Sequence, residues 1–138
     1  MNGTVKENII MGKELNQEWY DSVIKSCGLV LDFQQFLNGD QAIVSNCGVQ
    51  CSGRQRARIG LARALYCDTD VLVVDDPLSA VDSKVGRQLF EEALQGLAVN
   101  QGKCVILATH QHQYVQECKC VMMENGRLLT LDIMRNML

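Results

Sequence analysis

The hydrophobic pattern of the chain changes between its two halves. In the first half, residues 17–36 have apolar positions at helical spacing and are typical of two short helices separated near Gly28. In the second half, residues 71–74 (VLVV) and 104–108 (CVILA) are continuous apolar runs, which predict strands buried on both faces of a parallel sheet. Residues 83–98 lie between these runs and have the length and periodicity of a crossover helix, so we expect a βαβ unit.

Two turn signals complete this outline. Residues 38–40 (NGD) mark a turn, and residues 120–130 (CVMMENGRLLT) predict a hairpin-like pair of strands that turns at its Asn-Gly pair. We therefore expect an α/β fold. Its mostly helical region would occupy residues 1–66, and residues 67–131 would hold the strands, the crossover helix and the terminal hairpin.

Residues 51–65 (CSGRQRARIGLARAL) predict a helix with a defined start. Ser52 is a preferred N-cap residue and Gln55 completes a capping box, so the helix is expected to begin at Gly53. The face expected to be buried consists of Ile59, Ala62 and Leu65. The rest of the helix surface is expected to carry the arginines, which are Arg54, Arg56, Arg58 and Arg63. The unpartnered first N–H groups would suit a phosphate, although an ordinary capped surface helix has the same pattern.

Acidic residues and a histidine follow the two predicted strands. Asp75 and Asp76 end the first apolar run, and His110 follows the second. Because open α/β sheets bind ligands at the carboxyl edge of their strands, these side chains are placed where a Mg²⁺ nucleotide would bind. A histidine donor there would reach a terminal phosphate. The alternatives are an acidic strand end that caps the following helix and a structural histidine.

Composition narrows the classes of function. A chain of 138 residues fits one domain, and its 47% hydrophobic and 21% charged residues are typical of a globular protein. The net charge of -3 argues against a nucleic-acid-binding protein, although the arginine-rich helix is a local exception. No apolar run in the sequence approaches the roughly 18 residues that a membrane-spanning helix needs.

Taken in order, these motifs closely resemble the nucleotide-binding domain of ATP-binding-cassette (ABC) transporters. Residues 51–55 (CSGRQ) match the signature motif LSGGQ in three of five positions. Residues 71–76 (VLVVDD) are similar to the Walker B strand, and residues 79–82 (SAVD) are similar to the D-loop. His110 resembles the switch histidine.

Two further segments resemble one subfamily. Residues 2–12 (NGTVKENIIMG) and 75–82 (DDPLSAVD) are similar to the first nucleotide-binding domain of the C subfamily, the multidrug-resistance-associated exporters. The resemblance implies a P-loop NTPase-type ABC ATPase domain. The sequence contains no Walker A motif G-x-x-x-x-G-K-[ST], so we expect the carboxyl-side part of such a domain.

The resemblance also implies roles for individual residues. Asp75 would help to hold Mg²⁺, Asp76 would be the catalytic general base, and His110 would contact the γ-phosphate. Ser52 and Gly53 would touch the γ-phosphate of ATP bound to an opposing nucleotide-binding domain. The other nucleotide-binding candidates in the same motifs are Arg54, Gln55, Ser79 and Asp82.

The implied function is the ATP-binding and ATP-hydrolysing motor portion of a membrane exporter, at the cytoplasmic face of the membrane. Its cofactors would be ATP and Mg²⁺, its partners an opposing nucleotide-binding domain and transmembrane domains, and nucleic acid is not an expected partner. Asp76 replaces the usual glutamate and Arg54 the second signature glycine. These departures leave open a regulatory nucleotide-sensing domain with little hydrolysis, or a truncated product without activity.

Overall fold

The computed structural model describes residues 3–44, 50–79, 81–115 and 118–133. Its α-helices are α1 (Val5–Ile10), α2 (Gln17–Ser26), α3 (Val30–Gln35), α4 (Gly53–Tyr66), α5 (Ser83–Gln88) and α6 (His112–Val115). Its strands are β1 (Val71–Asp75), β2 (Cys104–Ala108), β3 (Lys119–Glu124) and β4 (Arg127–Ile133). Other helical turns are the 3₁₀ turns Gly39–Gln41 and Val99–Gln101 and the π-helix Leu89–Gly96. Within these described ranges, no helix is long and apolar enough to cross a membrane.

The two helices predicted around Gly28 are present as α2 and α3. The Asn16 side chain caps α2 by accepting the backbone N–H of Trp19 at 3.0 Å. Gly28 separates the helices with a φ of 64°, a left-handed conformation that glycine adopts readily. Val23 is fully buried on the inner side of α2, while Trp19 and Ile24 are partly buried against the same core.

Helix α4 begins at Gly53, as the sequence predicts. The Ser52 hydroxyl accepts the backbone N–H of Gln55 at 3.2 Å, and Gln55 Oε1 accepts the backbone N–H of Ser52 at 2.9 Å. These two bonds form the predicted capping box. The predicted inner face is buried, and it consists of Ile59, Ala62 and Leu65. Helix α4 packs against α1 and α2, so its start is fixed to a helical core.

Strands β1 and β2 are parallel neighbours, in register from Val71 opposite Cys104 to Asp75 opposite Ala108. A helical connection joins them in the chain, so the predicted βαβ unit is confirmed. The crossover helix predicted over residues 83–98 is present as α5, which continues without a break as the π-helix Leu89–Gly96. Over eight residues, an apolar pattern does not distinguish hydrogen bonds of the i→i+4 type from those of the i→i+5 type.

The prediction that β1 and β2 are buried on both faces of the sheet is wrong. Leu72 is only 5% exposed, but Val71 and Val73 are 52% and 70% exposed, and Ile106 is 55% exposed. Successive side chains of a strand point to opposite faces, and the described residues cover one of them. A continuous apolar run indicates that both faces can be buried, whereas the neighbouring elements decide whether they are.

The terminal hairpin is confirmed, with β3 and β4 paired antiparallel. Asn125 and Gly126 connect the strands with φ values of 48° and 74°, as a type I′ turn requires. The register shifts between Met122 and Met123. The turn predicted at residues 38–40 coincides with the first 3₁₀ turn.

Candidate functional site

The parallel pairing of β1 and β2 brings the residues after both strands to one edge of the sheet. Asp75 lies opposite Ala108, and the backbone N–H of Asp76 donates to the Ala108 carbonyl at 2.7 Å. Asp76 has a φ of 44°, a left-handed conformation that aspartate tolerates better than most residues. The Thr109 hydroxyl donates to Asp76 Oδ1 at 3.4 Å. Asp75 and Asp76 therefore lie next to Ala108 and Thr109, the residues that immediately precede His110.

The acidic residues at this edge fit a partial Mg²⁺ site. Asp75 is exposed at the end of β1, and Asp76 is half-buried beside it. Protein Mg²⁺ sites that also bind phosphate commonly use one or two carboxylates, with water and phosphate oxygens completing the octahedron. In the ranges that the structure describes, no cluster of three or more metal-binding side chains occurs. The two carboxylates could therefore supply only part of the coordination sphere of a Mg²⁺ ion.

Gln111 joins the segments that follow the two strands. Its side-chain Nε2 donates to the Leu78 carbonyl at 2.8 Å, and its backbone N–H donates to the Thr109 hydroxyl at 3.1 Å. The Ser79 hydroxyl donates to the Asp76 carbonyl at 3.0 Å and closes the turn after β1. Sequence reasoning missed Thr109 and Gln111, whose only signal was their position beside His110, which is exposed between them.

Replacing Gln111 with alanine is expected to lower the free energy of unfolding by about 1–3 kcal/mol, because the Leu78 carbonyl loses its partner in a fully buried residue. Urea unfolding of the variant measures this loss. Gln113→Ala is the matched control, since Gln113 is exposed and its removal should change stability by about 0.5 kcal/mol or less. Equal losses in the two variants would show that the bond to Leu78 contributes nothing.

Asp82 caps helix α5. Its carboxylate accepts the backbone N–H groups of Val85 at 3.0 Å and Lys84 at 3.1 Å. The bond from Val85 is the main cause that lowers the pKa of Asp82, and the positive charge of Arg54 adds a smaller effect. The cap is therefore present above the unfolded-state pKa and is lost as pH falls through the lowered folded-state pKa. Ala80, in the segment 79–82 that resembles a D-loop, lies outside the described residues.

The start of α4 is open to solvent. Ser52, Gly53 and Arg54 are exposed, and a Cβ atom placed on Gly53 would meet nothing within 4 Å. A ligand can thus approach the backbone N–H groups there. Gln55 differs, because its amide is bound within the protein: Oε1 accepts from Ser52, and Nε2 donates to Asp32 Oδ1 at 3.0 Å.

The arginines of α4 do not form a single exposed face. Arg58 donates to Asp32 Oδ2 at 2.5 Å, and both side chains are only about 10% exposed (11% and 10%). Arg63 donates to the Asn8 carbonyl at 2.6 Å and to the Asn8 side chain at 3.0 Å. The expectation that all four arginines lie on the free surface is therefore wrong for these two. Sequence reasoning missed Asp32, a carboxylate in a short helix whose partners are more than 20 residues away (23 and 26).

Known proteins similar to this chain are ABC transporters. The ABC-type transporter cicA of Emericella nidulans is 41% identical over 128 residues, which are 92% of this chain and 9% of that protein. ABC transporter C family member 7 of Arabidopsis thaliana is 43% identical over 127 residues, or 91% of this chain and 8% of that protein. ATP-binding cassette sub-family C member 4 of Homo sapiens is 41% identical over 128 residues, or 92% of this chain and 10% of that protein. The chain thus spans about a tenth of these relatives. No protein-family model matches it.

Proposed function

Because the chain belongs to the C family of ABC transporters, we propose that it is the carboxyl-side part of a nucleotide-binding domain and helps to power a membrane exporter by ATP hydrolysis. One observation carries this proposal: Asp75, Asp76 and the segment before His110 meet at the carboxyl edge of one parallel strand pair. Ligands of open α/β sheets bind at such edges.

Each residue at the sheet edge has a role in this proposal. Asp75 would be a ligand of Mg²⁺, which neutralises charge on the transferred phosphate. Asp76 would accept a proton from the attacking water, and the Thr109 hydroxyl at 3.4 Å would orient its carboxylate. His110 is exposed beside them and would donate a hydrogen bond to the γ-phosphate.

The start of α4 would serve a different nucleotide. Ser52, Gly53 and Arg54 would face ATP held by an opposing nucleotide-binding domain, and their exposure supports this role. Ser79 and Asp82 would lie at the same interface, and the exposure of both residues supports this role. Transmembrane domains, with the chain at the cytoplasmic face of the membrane, are the other proposed partners.

Replacing Asp75 with asparagine tests the proposed site. In the full-length polypeptide, this substitution should raise the Mg²⁺ concentration needed for ATP hydrolysis by about tenfold or more, because it removes a charged metal ligand. Asp70→Asn is the matched control, because it removes the same charge. Asp70 is exposed and precedes β1, at the end of the strand opposite Asp75. An unchanged Mg²⁺ dependence in Asp75→Asn would contradict the Walker B assignment.

A regulatory nucleotide-sensing domain is the second candidate. Asp76 is one methylene shorter than glutamate, and Arg54 adds a large cation where the family motif has glycine. A short carboxylate is expected to activate water poorly while leaving nucleotide binding intact. Hydrolysis rates of Asp76 variants separate this candidate from the motor.

A further inference from the structure

We propose that Asp32 is a positioning residue, which orients the amide of Gln55 and thereby fixes the first turn of α4 around Ser52. The idea deepens the proposed function, because Ser52 belongs to the surface that would meet the opposing nucleotide. The contacts themselves do not depend on that function, so they can be tested separately.

Asp32 is a buried carboxylate that binds two side chains of α4. It is 7% exposed, and each of its oxygens has a different partner. Oδ1 accepts from Gln55 Nε2 at 3.0 Å, and Oδ2 accepts from Arg58 at 2.5 Å. Gln55 and Arg58 are three residues apart, so one carboxylate of α3 binds side chains across nearly a full turn of α4.

The chemistry of the carboxylate decides which way the Gln55 amide points. An ionised carboxylate only accepts hydrogen bonds, so the NH₂ group of Gln55 must face Asp32. The amide oxygen then faces the backbone N–H of Ser52, which donates to it at 2.9 Å. A reversed amide would place its oxygen against the carboxylate and its NH₂ group against the Ser52 N–H. Asp32 therefore enforces the orientation that the capping box needs.

This arrangement gives Gln55 a role different from direct nucleotide binding. Both polar atoms of its amide are already bound within the protein. The guanidinium of Arg56 also holds the Cys51 carbonyl, with Nε donating at 3.0 Å. The backbone on either side of Ser52 is thus fixed, while the Ser52 residue remains exposed. Gln55 would act on a nucleotide only through Ser52, and α3 would move together with the start of α4.

Three variants of the full-length polypeptide test the link by residue-resolved hydrogen exchange. Asp32→Asn turns a pure acceptor into a group with its own NH₂, so one of its two donors is lost. Because the variant also weakens the buried pair with Arg58, exchange is expected to rise along α4, but the Ser52 and Gln55 amides should accelerate about tenfold more than residues 59–66. Gln55→Glu places a second carboxylate against that of Asp32. The two negative charges repel each other, so the same local effect on exchange is expected. The double variant exchanges the places of amide and carboxylate, and should restore exchange rates to within about twofold of wild type.

The double variant is the decisive arm, since a role in general stability alone does not predict rescue. Exchange that accelerates equally throughout α4 in Asp32→Asn, or a double variant no better than the single ones, would overturn the proposal. Gln55→Met is the control for a loss of overall stability caused by disturbing Arg58, because this variant leaves the Asp32–Arg58 pair intact. It must still accelerate exchange at Ser52, and failure to do so would also overturn the proposal.

ATP hydrolysis by the same variants separates this inference from the proposed function. If both hold, each single variant lowers kcat with a KM for ATP within about twofold of wild type, and the double variant recovers kcat. Rescue of exchange without any change in hydrolysis would support the positioning of Ser52 and contradict the proposed action of Ser52 on a nucleotide.

Discussion

Replacing Asp76 with glutamate is expected to raise ATP turnover at this site. Asp76 lies at the carboxyl edge of the sheet, where the proposed water would be activated, but its side chain is one methylene shorter than that of glutamate. A general base must approach its proton within about 3 Å, so added reach improves proton transfer. The gain should not exceed the roughly 10²- to 10⁴-fold that a positioned general base supplies.

The measurement is the single-site ATPase rate of the full-length polypeptide with its other nucleotide site inactivated. Asp75→Glu is the matched control, because it adds the same methylene to the neighbouring carboxylate and should not raise the rate. Asp76 has a φ of 44°, and glutamate adopts this conformation less readily than aspartate, so thermal unfolding must accompany the rates. If ATP still binds and the rate does not rise, the argument from reach fails and the regulatory function is favoured.

Replacing Arg58 with leucine is expected to lower the free energy of unfolding by about 3–5 kcal/mol. The substitution leaves the Asp32 carboxylate buried without its only charged partner among the described contacts. Removing one member of a buried ion pair costs far more than the pair itself contributes, because the remaining charge has lost its compensation. Urea unfolding followed by circular dichroism measures the loss.

Arg54→Leu is the control for this prediction. It makes the same substitution one turn earlier on α4, at an exposed position with no described ion pair. A change of about 0.5 kcal/mol or less is expected there. Similar losses in the two variants would mean that the Asp32–Arg58 pair is not a buried constraint.

The sequence predicted those parts of the fold that depend on neighbouring residues. The start of α4 follows from Ser52 and Gln55, which are three positions apart and satisfy each other. The hairpin follows from Asn125-Gly126, because few other pairs adopt two left-handed conformations in succession. The apolar pattern of residues 83–98 likewise predicted the helical connection, but it did not indicate that α5 continues as a π-helix.

The sequence by itself thus determined the order of the elements and which residues follow the parallel strands, since capping, turn formation and strand direction act over a few positions. The tertiary structure alone decided which face of β1 is covered, and it paired Asp32 with Gln55 and Arg58, and Gln111 with Leu78. These partners lie 23 to 33 positions apart in the chain. Contacts over such distances depend on how whole elements pack, and many packings are compatible with one local pattern.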